Sequence, residues 1–157
     1  MRGGLITPHK DVRDALDDKS DQYGALNVPY LIVVADAKDQ LFGKDSINSA
    51  ITEAVFGDEI VKVQGGKAQS THAKNGFWHG ASGPRNRYVS AVLLLPGTDL
   101  WKLREERRQP ILAINPWAER PLPDALKVLR RFEADNDLWV LRDGKMLADV
   151  LGVPNPW

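Results

Sequence analysis

At 157 residues the chain has the length of one ordinary domain, and 43% hydrophobic against 27% charged residues is the balance of a globular protein with a buried core. Its longest apolar runs, Tyr30 to Ala35 and Ala91 to Leu95, are far too short to cross a bilayer, and the absence of cysteine excludes disulfides, thiolate catalysis and cysteine-ligated zinc. Twenty-one basic and twenty-one acidic side chains cancel, which excludes a global field that would draw in nucleic acid or an anionic membrane.

No basic start followed by an apolar stretch marks a secretory leader, so a cytoplasmic location is expected. Thr7 and Pro8 open a helix with a capping hydroxyl and a proline at the first helical position. Val12, Ala15, Leu16 and Tyr23 continue it at helical spacing, Gly24 closes it, and its early aspartates suit the positive end of the helix dipole. Tyr30 to Ala35, apolar on both faces, reads as a central strand. A second helix is expected over Asp45 to Phe56, with an apolar stripe of Ile47, Ala50, Ile51, Ala54 and Val55 and a stop at Gly57.

From Gly57 to Ser82 the periodicity dissolves, which predicts a long loop containing a turn at Gly65-Gly66. Tyr88 to Leu95 and Ile111 to Ile114 are further strands, separated by a short helix or extended turn over Leu100 to Arg108. Leu126, Leu129 and Phe132 predict a helix over Leu122 to Ala134, and Asp143-Gly144 between apolar runs predicts a hairpin over Trp139 to Leu147. The sum is an α/β or α+β fold: one layered domain over 1–157, with a central mixed sheet flanked by helices and a C-terminal hairpin.

Charge is uneven along this frame. Residues 11 to 21 carry five aspartates against Arg13 and Lys19, while residues 84 to 108 carry six basic side chains against three acidic ones. An acidic and a basic face, or ordinary solvated helix surfaces, both fit these counts.

The leading site candidate is "GFWHGASGPRNRYVSAVLLL", residues 76–95. Its glycines let backbone amides approach an anion, Arg85 and Arg87 can pair phosphate or carboxylate, and Trp78 can stack on a base, with His79 and Ser82 beside them. It lacks P-loop spacing and leads into a strand, so a turn with Trp78 in the core is the competing reading. Asp36-Ala-Lys38 at a strand end matches the pairing of a magnesium-holding acid with a charge-stabilising lysine in metal-dependent nucleases. The same three-residue pattern recurs at Asp17 and Asp143, and no partner acid stands at the start of an upstream strand; no catalytic residue is therefore assigned, and magnesium enters only with a nuclease reading. His72 and His79 lie seven apart with His9 distant, which argues against a metal site, and none is assigned. Ser82, His79 and Asp58 make a triad only on paper, without a nucleophile-elbow pattern. Trp78, Trp101, Trp117, Trp139 and Trp157 fill either a core edge or a partner surface.

Three blocks, "YGALNVPYLIVVADAKD", "GFWHGASGPRNRYVSAVLLL" with "ITEAVFG" upstream, and "INPWAERPL", together resemble the C-terminal part of an uncharacterised bacterial family assigned a restriction-endonuclease-like fold. The resemblance covers roughly residues 10 to 122 and implies an α/β core related to metal-dependent nucleases. The strands that carry the acids in such a fold would lie before residue 1, so none is carried over. The expectation is a catalytically incomplete, nuclease-like module, part of a longer protein or derived from one. It would bind nucleic acid or another anionic ligand through Arg85, Arg87 and Trp78. The alternative is a structural or oligomerisation domain with a tryptophan-rich interface, acting as a homo-oligomer. A magnesium nuclease using Asp36 and Lys38 is the third reading, and no membrane partner is expected.

Overall fold

The computed structural model describes residues 8–36, 47–96, 104–105, 109–135 and 138–154. Helix α1 (Pro8–Tyr23) leads to strand β1 (Leu31–Asp36), and helix α2 (Ile47–Phe56) to a hairpin of β2 (Glu59–Gln64) and β3 (Lys67–His72). A miniature ribbon, β4 (His79–Gly80) with β5 (Gly83–Pro84), precedes β6 (Ala91–Pro96) and β7 (Ile111–Ile114). A single 3-10 turn (Asp124–Leu126), β8 (Arg131–Asp135), β9 (Leu138–Arg142) and α3 (Leu147–Val150) complete the order. The chain is an α+β fold built on a mixed sheet, ordered β1-β6-β7-β8-β9.

Strand register explains the core. Ile32, Val92, Ala113, Phe132 and Leu141 align across the five strands and so share one face, because side chains alternate along a strand. α1 brings Val12 and Leu16 to that core, and α2 brings Ile51, Ala54, Val55 and Phe56. The other face holds a smaller cluster of Ala91, Leu112 and Leu122, with Leu31, Leu93 and Ile114 packed against it.

Four sequence expectations change. β1 is an edge strand rather than a central one: among the described residues it pairs only with β6, and Val33 is 52% exposed. The expected long loop after Gly57 contains an antiparallel hairpin, turned at Gly65 and Gly66 with φ of 58° and 76°, the left-handed values of a two-residue hairpin turn. The helix expected over 122–134 is replaced by the 3-10 turn and β8, which lies parallel to β7 and antiparallel to β9. Its helical spacing was overruled by the two ladders that flank it. The C-terminal hairpin exists, but it is β8 with β9; Asp143 and Gly144 follow β9 and lead toward α3. Most of Leu100 to Arg108, including Trp101, lies outside the described residues, as do Thr7 and Trp157.

Candidate ligand pocket

The stretch 76–95 is held by its backbone. The end of an α-helix leaves carbonyls without intrahelical partners. Phe77 N–H donates to Ala54 O at 2.9 Å and Trp78 N–H to Val55 O at 2.8 Å, so this loop caps α2. Gly57 ends α2 at φ 113°, where a Cβ would lie 1.9 Å from Ala73 O. Asn86 holds a φ of 49° and donates from Nδ2 to Phe77 O at 2.8 Å. Buried Asn115 then donates to Val89 O, and buried Ser90 to Arg120 O, tying the loop to the chain beyond β7.

The proposed grip residues are not brought to one surface. Trp78 is fully buried against Phe56 and Phe77, so its ring has no face for a base; the stacking role expected of it is corrected by this burial. Its Nε1 has no hydrogen-bond partner among the described residues. Arg85 donates to Asp17 at 2.8 Å, and burial pushes the Asp17 carboxyl up although Arg85 opposes the shift. Arg87 reaches Trp117 O at 3.3 Å and Glu119 at 4.0 Å. Ser82 is exposed in the turn between β4 and β5. Lys38 and the side chain of Asp36 lie outside the described part of the structure.

His79 has a different neighbourhood. Its ring stacks on Trp117, with centroids 5.3 Å apart, and both line a pocket of about 450 Å³. Trp117 meets Trp139 edge-on at 6.0 Å, and Trp139 stacks on Phe56 at 3.4 Å and 12°. With Phe132, five rings from α2, β4, the β7–β8 crossover, β8 and β9 converge on this space. One wall is a stripe along α2, polar at Asn48 and Thr52 and aromatic at Phe56, four residues apart and hence on one helix face. The β2–β3 hairpin supplies the opposite wall. Glu59 pairs with His72, and Ser70 lies two residues before His72, so all three side chains share a face.

Hydrogen bonds fix the polarity of these walls. His72 Nδ1 lies 2.6 Å from Gly57 O and must donate to it, which leaves Nε2 as the acceptor of the neutral ring. Thr52 gives its hydroxyl hydrogen to helix carbonyls, and Ser70 gives its own to Glu59. Asn48 Oδ1 is buried without a partner among the described residues.

A second cluster, unforeseen because His9 stands 44 positions from Glu53, lies behind the pocket. His9 Nδ1 is 2.9 Å from Glu53 and Nε2 is 3.6 Å from Asp58, and their ligand atoms all lie within 4.8 Å of one another. Arg13 occupies the same Asp58 Oδ1 at 2.9 Å and also donates to Glu53 O and Ala54 O. Hydrogen bonds from Asn75, then Arg13, hold the Asp58 carboxyl below the usual range. The guanidinium already supplies the positive charge these carboxylates attract, so the arrangement is a charged tie between α1 and the end of α2.

No protein-family model matches the chain, nor does any curated protein or solved structure. Among the described residues, no helix is long and apolar enough to cross a membrane.

Proposed function

We propose that the chain is a ligand-binding module whose site is the aromatic pocket between α2, the β2–β3 hairpin and Trp139. The observation that carries this reading is the convergence of five rings on an open space of about 450 Å³. Half-buried Trp117 and Trp139 keep aromatic surface at the edge of this space, and a planar ligand packed against it would bury that surface. The polar stripe on α2 and the polar face of the hairpin would orient that ligand, as a few directed polar groups do in ligand sites generally. Arg85 and Arg87 remain exposed and carry the competing nucleic-acid reading, without the stacking ring expected beside them.

The test uses the indole N–H signals of the tryptophans in a ¹⁵N-labelled sample, titrated with a set of small heteroaromatic compounds. Saturable shifts at Trp117 and Trp139, abolished by Ser70→Trp on the hairpin wall, are the expected result. If no compound moves these signals, while labelled DNA binds and Arg85→Ala/Arg87→Ala abolishes that binding, the function belongs to the glycine-arginine loop instead.

A further inference from the structure

The polarity of the pocket walls specifies the chemistry of what fits there; this step rests on the ligand-binding reading above. Among the described residues lining the pocket, Glu59 is the only acid, and no lysine or arginine accompanies it. Thr52, Ser70 and His72 have each committed a hydrogen inside the protein, to helix carbonyls, to Glu59 and to Gly57 O respectively. What Thr52 and Ser70 have left to offer a ligand is lone pairs, as has Nε2 of the neutral His72 ring, whereas the Asn48 amide oxygen is buried away from the space. An acceptor facing another acceptor is repulsive. The aromatic faces add negative quadrupole potential, which attracts cations lying over the rings. The positive end of α2 does not reverse this balance, because the lining residues Asn48, Thr52 and Phe56 run along the helix and place the pocket beside its axis.

We infer that the pocket takes a planar aromatic or heteroaromatic molecule bearing a cationic, donor-rich group such as an amidinium or a ring-bound ammonium. The ring packs against Trp117 and Trp139, and the donors face Glu59, Ser70 and His72. An anionic ligand, the chemistry expected from the arginine loop, meets the Glu59 carboxylate here and is disfavoured.

The probes are benzamidine, benzamide and benzoate, which share a ring and a planar head group but carry charges of +1, 0 and −1. Each is titrated at pH 7.5 into the full chain, followed by the Trp117 and Trp139 indole signals. Benzamidine is expected to bind about tenfold more tightly than benzoate, the gap that a partly exposed carboxylate opens between attracting one ligand and repelling the other, with benzamide between them. Glu59→Gln, at an exposed position, is expected to bring the three within about twofold. If benzoate matches or exceeds benzamidine while still moving both tryptophans, the charge assignment fails and the pocket reading survives. A benzamidine preference unchanged in Glu59→Gln likewise overturns the assignment to that carboxylate. If none of the three moves either signal, both readings fall.

Discussion

Replacing Arg13 by alanine removes the tie on which the inner wall of the pocket depends. The side chain is 17% exposed, and its guanidinium makes three contacts: Glu53 O at 2.8 Å, Ala54 O at 3.4 Å and Asp58 Oδ1 at 2.9 Å. A hydrogen bond from a charged donor contributes about 1.5 to 3 kcal/mol net. The contact to Ala54 is too long to add much, and the Asp58 pair is open enough to solvent to add no more than about 1 kcal/mol. Glu53 O keeps the Gly57 N–H and Ala54 O keeps the Phe77 N–H, so neither carbonyl is orphaned when the arginine goes. The expected loss is therefore about 2 kcal/mol, or roughly 4 to 8 °C in Tm for a chain of this size. Arg13→Lys keeps the charge but not the fork and should lose about half as much. Urea denaturation followed by tryptophan fluorescence measures both, with an unchanged slope as the sign that only stability has moved. A loss below about 0.5 kcal/mol for Arg13→Ala would refute the view that this side chain ties α1 to the end of α2.

Asp58 has a folded pKa lowered chiefly by Asn75 and Arg13, so it adds stability above its unfolded pKa that fades as pH falls through the folded value. Asp58→Asn should flatten the acid limb of Tm against pH below about pH 4, and an unchanged limb would contradict that assignment. Asp17 has the opposite sign: burial raises its folded pKa, so its ionisation opposes folding as pH rises. Asp17→Asn should accordingly cost nothing at pH 7 in thermal melts, despite the Arg85 contact, whereas a drop of 5 °C would mean that the pair is an anchor. At Gly76 a Cβ would meet backbone atoms of Phe56 and Gly57 at 2.3 and 2.4 Å. Gly76→Ala should push the end of α2 off its cap at a cost of about 2 kcal/mol or more, measured by the same denaturation, and near-neutrality would show that the loop yields freely.

Local pattern was enough for α1, α2, β1 and β7, because each carries its own signal: a period of 3.6, a short apolar run, or a Gly stop at Gly24 or Gly57. β8 was misread because Leu126, Leu129 and Phe132 do have helical spacing; what makes Arg131–Asp135 a strand is the pair of neighbours offered by β7 and β9, which no local window contains. The β2–β3 hairpin was half legible: Gly65-Gly66 announced the turn, but exposed Val61 and Val63, opposite only Ser70 and Ala68, gave no apolar face to mark a strand pair. The pocket was legible only in fragments. His79 was a candidate, and Trp117 and Trp139 were noted as aromatics near turns, yet Phe56 and Trp139 stack across 83 positions of sequence. Trp78, the residue that looked most like a ligand platform, is the one the core consumed. Its own backbone amide and that of Phe77 were needed at the end of α2, and a side chain anchored there points inward.

The most direct test of the pocket is a crystal of the full chain soaked in benzamidine. The expected result is density for the ring against Trp117 and Trp139, with the amidinium toward Glu59. Density at Arg85 and Arg87 alone, or none at a concentration that saturates the solution signal, would contradict it.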